Sequence, residues 1–211
     1  MDSPPKQERS KKRIEIILET AETILLEENI DAITIANISK LSGLKRTSTY
    51  KFFQTPDSIK SALVSKYLLE CNKDFIDNID NINSQELSVV VLRSVEILHN
   101  FFVESKAAQA LILLNTTCLP VQKESFNQLS GSVQTFVEKN INLPEIFNKD
   151  GVFRVYTQII ISIFSLNTRE GGLLNEVGKI EANRAAHAYM LNWLNQSCLL
   201  YTSPSPRDRV Q

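Results

Sequence analysis

Apolar residues recur at intervals of three and four along most of this chain, as in Ile14, Ile17, Leu18, Ala21 and Leu25, and again in Ile59, Leu63, Tyr67 and Leu68. That spacing lines one face of a helix, so it confines the fold to helices packed on one another. No stretch alternates at two. The run VFRVYTQIIISIF, 152–164, is apolar enough for a buried strand, but its length favours a buried helix. Six glycines and seven prolines, four of the prolines near the termini, leave the middle of the chain free for long helices. The expectation is an all-α fold of about nine helices and no sheet.

Start and stop signals divide the pattern. Residues 1–7, MDSPPKQ, read as a disordered polar arm. A first helix begins at Glu8 and ends in EENID, where Asn29 suits the left-handed conformation of a helix stop. Thr34 sits at an N-cap, opening a short helix that buries Ile35, Ile38 and Leu41. Gly43 in SGL allows a sharp reversal, and a second short helix spans about 46–52. QTPDS then carries a strong start signal: Thr55 as N-cap, Pro56 at the first helical position and Asp57 beside the positive helix end. This helix runs to about 79. Asn83 with Glu86 resembles a capping box opening a helix to about 103. Further helices are expected over 107–117 (closed by Pro120), 121–140 (ended before Pro144), 147–166 (broken by REGGLL) and 174–194.

The net charge is −1, which excludes a generally basic protein, so a nucleic-acid role has to rest on local charge. Local charge exists: residues 34–66 hold six Lys and Arg against one acid, Asp57. Cys71, Cys118 and Cys198 form no C-x-x-C and no short spacing with histidine, and no leader-like segment opens the chain. The expectation is a cytoplasmic protein with free thiols. The longest apolar runs are far too short to span a bilayer, so no membrane partner is expected.

Two short helices about a glycine turn, preceded by a longer one, describe a helix-turn-helix. The order of residues adds to this. RIEIILETAETILLEENIDAITIANISKLSGLKRTSTYKFFQTPDSI resembles the N-terminal DNA-binding domain of TetR-family transcriptional regulators, with Ala21, Ile24, Leu25, Thr34, Ile38, Gly43, Leu44, Tyr50, Phe53, Asp57 and Ile59 in register with that family's pattern. The likeness covers about fifty residues. Asn29 replaces the usual glycine, Lys45 a common serine, Thr47 a common glycine and Pro56 a phosphate-contacting lysine. The resemblance implies a helix-turn-helix domain over 8–54 and a helical effector-binding and dimerisation domain over 55–197. It also implies double-stranded DNA contacts from Thr34, Lys45, Arg46, Thr47, Ser48, Tyr50, Lys51 and Thr55. Lys45, Arg46 and Lys51 would face the polyanion, with Thr47 and Ser48 small enough to leave base edges accessible. Phe53 is core.

Catalysis has little to stand on. His99 and His187 are far apart on helices, and the chain has no nucleophile elbow, phosphate-binding glycine loop or metal-ligand spacing. Neither an enzyme nor a cofactor is expected. In the family the later helices enclose a pocket for a small effector, and pockets between helices are apolar with a few polar groups. Candidate liners are His99, Asn115, Thr116, Cys118 and Gln122, with the aromatic Phe102, Phe126 and Tyr156. The resemblance also implies a homodimer built from helices 147–166 and 174–194, with Ile159, Ile163, Tyr189 and Trp193 in its interface. The expected function is a ligand-responsive repressor on a palindromic operator. The alternative is an all-α ligand-binding or scaffold protein that does not read DNA. The end of the chain stands apart: CLLYTSPSPRD fits one reading frame of a transposase sequencing adapter, so 198–211 are expected to be a non-native tail.

Overall fold

The computed structural model describes residues 6–79, 82, 84–115, 123–145 and 147–200. These form nine α-helices and no strand among the described residues. α1 is Lys6–Glu27, α2 Ile35–Ser42, α3 Arg46–Phe52, α4 Pro56–Asp77, α5 Leu87–Glu104, α6 the single turn Lys106–Ala108, α7 Lys123–Asn140, α8 Lys149–Gly171 and α9 Glu176–Leu200.

α1 to α3 share a small core of Ile17, Ala21, Ile24, Ile33, Ile38 and Phe53, all buried. α4 bridges this unit and the rest. Its Ile59 and Leu63 are fully buried near its start, and Phe75 near its end meets Phe136 of α7 edge to face at 5.9 Å. A second core collects Val91, Val95, Leu98 and Phe102 from α5 with Phe153, Tyr156, Ile160 and Phe164 from α8. Inside it the Tyr156 hydroxyl pairs with Ser94 Oγ at 2.7 Å. Burial raises the Tyr156 pKa although the Ser94 hydrogen bond works against it, so the hydroxyl stays protonated.

The start of α4 follows local chemistry. Thr55 Oγ1 accepts from Ser58 N at 3.2 Å, Ser58 Oγ accepts from Thr55 N at 3.3 Å, and Pro56 occupies the first helical position. Thr55→Ala is expected to cost about 1 kcal/mol of stability. Urea denaturation checks this, and an unchanged midpoint would mean the cap contributes nothing.

Several boundaries differ from the sequence reading. α1 begins at Lys6, so Lys6 and Gln7 belong to the helix and not to an arm; residues 1–5 lie outside the described residues. Asn29 is not left-handed: at φ −170° it is extended, and its Oδ1 accepts from Asp31 N and Ala32 N to cap a 3-10 turn, Ile30–Ala32. Leu41 is exposed, because six residues beyond Ile35 place it about 120° around the helix from the buried face. Glu86 is the residue before α5 and makes no side-chain cap bond; Ser84 Oγ accepts from its backbone N–H, and Asn83 lies outside the described residues.

The helix expected over 107–117 becomes α6 and a π-helical turn, Gln109–Leu113. The wide turn is held from outside. The Leu113 carbonyl accepts from Ser165 Oγ at 2.6 Å and Arg169 Nε at 3.3 Å, while Gln109 Oε1 accepts from Leu174 N at 3.1 Å. Those same contacts give α8 a reason to continue past Leu166, and it ends at Gly172, whose φ of 80° favours glycine. α9 runs through the backbone of Leu200, past the expected break before Cys198; the remainder of the tail lies outside the described residues. No helix among the described residues is long and apolar enough to cross a membrane.

Candidate nucleic-acid interface

The helix-turn-helix is assembled by short-range bonds. Thr34 Oγ1 accepts from Asn37 N at 3.1 Å, capping α2. Asn37 Nδ2 in turn donates to Ala32 O at 2.8 Å, tying the first turn of α2 to the segment that leaves α1. Gly43 ends α2 at φ 71°, where a side chain would be strained, and Ser42 Oγ accepts from Leu44 N at 3.2 Å across the turn. α3 then follows with Lys45 before its first residue.

α3 is anchored from one side only. Thr49 is fully buried, Phe53 is buried just past its end, and Phe52 is half-buried against the core. The opposite side presents Lys45, Arg46, Thr47, Tyr50 and Lys51 to solvent, with Ser48 half-buried. None of the three cations forms an ion pair among the described residues. The Tyr50 ring is 52% exposed, so it lies beside the cations and not in the core. Thr34 and Thr55 use their hydroxyl oxygens as cap acceptors, which leaves each O–H free to donate. The structure therefore brings Lys45, Arg46, Thr47, Tyr50 and Lys51 onto one exposed surface, held by the buried Thr49. Sequence reading passed over Thr49 and Asn37, because a threonine in a short polar helix and an asparagine near a cap carry no signal of their own.

The residues proposed for an effector pocket separate. His99 is buried, its Nε2 3.3 Å from Asn175 O and its ring edge-on to Phe164 at 5.7 Å. Phe102 and Tyr156 are core, and Asn115 is half-buried at the end of the π-helical segment. Thr116, Cys118 and Gln122 lie outside the described residues. Phe126 does face a cavity, a cleft of about 680 Å³ between α4, α7 and α8. Its floor is Val64, Leu68, Ile112, Phe126 and Ile161, and its rim carries Lys123, Asn127, Arg154 and Gln158. Arg154 is legible as the lone basic residue in the apolar run 152–164. Lys123 carried no such signal. Burial raises the pKa of the Cys71 thiol, with Asp74 adding to it, so this cysteine is no nucleophile.

Of the residues assigned to a dimer interface, Ile159, Ile163, Tyr189 and Trp193 are half-buried. Ile159 and Ile163 continue an outward stripe on α8 that includes the exposed Val155 and Leu166. On α9 Val177, Ile180 and Leu191 are exposed.

A three-helix unit with a glycine-turn pair of short helices, joined by α4 to a larger helical bundle, has the fold of the TetR-family transcriptional regulators. A regulator of this family from Streptomyces coelicolor superposes with a TM-score of 0.65 at 16% identity, over 88% of this chain and 99% of that one. One from Rhodococcus sp. RHA1 does so with a TM-score of 0.65 at 12% identity, over 89% of this chain and 99% of that one. At these identities what is shared is the fold. No protein-family model matches the sequence, and no curated protein matches it either.

Proposed function

We propose that this protein is a DNA-binding transcriptional regulator, a ligand-responsive repressor that binds a palindromic operator as a homodimer. The observation that carries the reading is the exposed side of α3. Lys45, Arg46 and Lys51, unpaired among the described residues, lie with the small Thr47 and the half-buried Ser48 along a helix whose other side is buried, on a fold shared with transcriptional regulators. Lysine and arginine so placed release counterions on binding phosphate, which makes affinity fall with salt.

Ligand response is supported by the position of α4. Val64 and Leu68 floor the cleft, while Lys66, between them in sequence, donates to Glu22 of α1 at 2.7 Å. Burial alone would lower the Lys66 pKa, but Glu22, Glu70 and Glu19 raise it, so the lysine keeps its charge and the tie to α1. An occupant that displaced α4 would move α1 and with it the helix-turn-helix. The homodimer is supported by the apolar stripes on α8 and α9, which nothing else in the chain covers among the described residues.

Titration of a labelled duplex from the region upstream of the gene, over a salt series, tests the reading. Saturable binding to that duplex, stronger than to a scrambled one and falling steeply with salt, is the expected result. Equal binding to both, or none, would leave a helical ligand-binding protein that does not read sequence.

A further inference from the structure

We infer that the cleft between α4, α7 and α8 takes a small amphipathic carboxylate, with its apolar chain on the floor and its carboxylate at Lys123 and Arg154. The inference rests on the reading of this cleft as the effector site and adds the chemistry of the occupant.

The floor sets one half of that chemistry. Val64, Leu68 and Ile161 are buried, while Ile112 and Phe126 are half-buried, and all five turn apolar surface into one opening. At about 680 Å³ the opening is in the range of small-ligand sites and wide enough for a medium-length alkyl chain. An unbranched chain would bury surface against all three helices at once.

The rim sets the other half. Lys123 and Arg154 are its charged residues, and no carboxylate lines the cleft among the described residues. Neither forms an ion pair or side-chain hydrogen bond among the described residues. Lys66, Lys149, Lys179 and Arg184 by contrast each pair with a nearby glutamate, whereas these two, like the cations of α3, keep their charge available to a ligand. Asp150, one turn before Arg154, shares a neighbouring depression with it but makes no ion pair with it. Two unpaired cations above an apolar floor leave a neutral oil only half matched and a cation repelled. A planar carboxylate suits the fork of an arginine, and Asn127 offers an amide beside it.

Isothermal titration of the full chain with decanoate, in the absence of DNA, tests this. Decanoate should bind saturably, one per protomer, while acetate and decyltrimethylammonium should not bind and decan-1-ol should bind at least about tenfold more weakly. Shortening to octanoate removes two methylenes and should weaken binding about fifteenfold. Arg154→Gln and Lys123→Gln, both at exposed positions, should each weaken decanoate about tenfold and leave decan-1-ol unchanged. Absence of saturable decanoate binding would overturn the inference, as would equal binding of decan-1-ol or indifference to both substitutions. Tenfold preference for decyl phosphate would replace the carboxylate by a phosphate head. All these readings are made without DNA, so their failure and a failure of operator binding are separate results.

Discussion

In the proposed homodimer, replacing Leu166 on α8 and Ile180 on α9 by glutamate is expected to leave a monomer at micromolar concentration. In a single chain these side chains are 56% and 52% exposed, so neither substitution disturbs the protomer core. A two-fold interface presents each residue twice. Fully burying a leucine or isoleucine contributes about 1.5–3 kcal/mol, and about half of each side chain remains to be buried on association, so four copies together account for about 3–6 kcal/mol. That is at least about two orders of magnitude in the dimer dissociation constant, before the cost of four buried carboxylates. Sedimentation velocity gives the oligomeric state directly, and a thermal melt confirms that the variant protomer stays folded. A wild-type chain that sediments as a monomer would end the dimer reading, and a variant that remains dimeric would move the interface elsewhere. The DNA consequence follows from geometry. Two copies of α3 bound to one another sample both half-sites with a single loss of translational freedom, so the monomer should lose more operator affinity than any one base contact supplies.

The features that sequence made legible are those decided within a few residues. Thr34 and Thr55 are caps because a hydroxyl at that place reaches an amide three residues on. Gly43 is left-handed because the chain has to reverse there. Asn29 shows where local reasoning divides: the same side chain serves a left-handed stop or an extended N-cap, and the choice depends on where Ile30 and Ile33 must be buried or half-buried. The π-helical segment was out of reach for a different reason. Its partners Ser165, Arg169 and Leu174 lie more than fifty residues away, and no local pattern announces them. The effector candidates divided in the same way. His99, Phe102 and Tyr156 have the right chemistry for a pocket, but the packing of α5 on α8 consumes it as core. The cleft forms where α7 meets α4 and α8, and its cations come from residues thirty-one positions apart, Lys123 and Arg154.

Arg46→Ala and Lys51→Ala are expected to weaken DNA binding in two different ways. Two α3 helices in a dimer lie about one helical turn apart, roughly 34 Å, if the operator is an inverted repeat. Arg46 is the first residue of α3, where side chains reach base edges in the major groove, and its guanidinium is exposed and unpaired among the described residues. An arginine on a guanine gives about 1–3 kcal/mol of discrimination, so its loss should weaken the cognate duplex by about five- to 150-fold per half-site and random DNA much less. Lys51 is in the last turn of α3 beside the exposed Tyr50 ring, a placement that suits a phosphate. Its loss should weaken cognate and scrambled duplexes alike and flatten the dependence of log affinity on log salt by about one unit per contact. The buried Thr49 holds both side chains outward through the same backbone, so a melt that is unchanged in either variant shows that contacts, not folding, were removed. Fluorescence anisotropy on both duplexes, from low to high salt, separates the two kinds of contact. Should Arg46→Ala weaken both duplexes equally, α3 holds the backbone and sequence is read elsewhere; should neither variant change affinity, the cations on α3 are a solvated face and the regulator loses its DNA-reading helix.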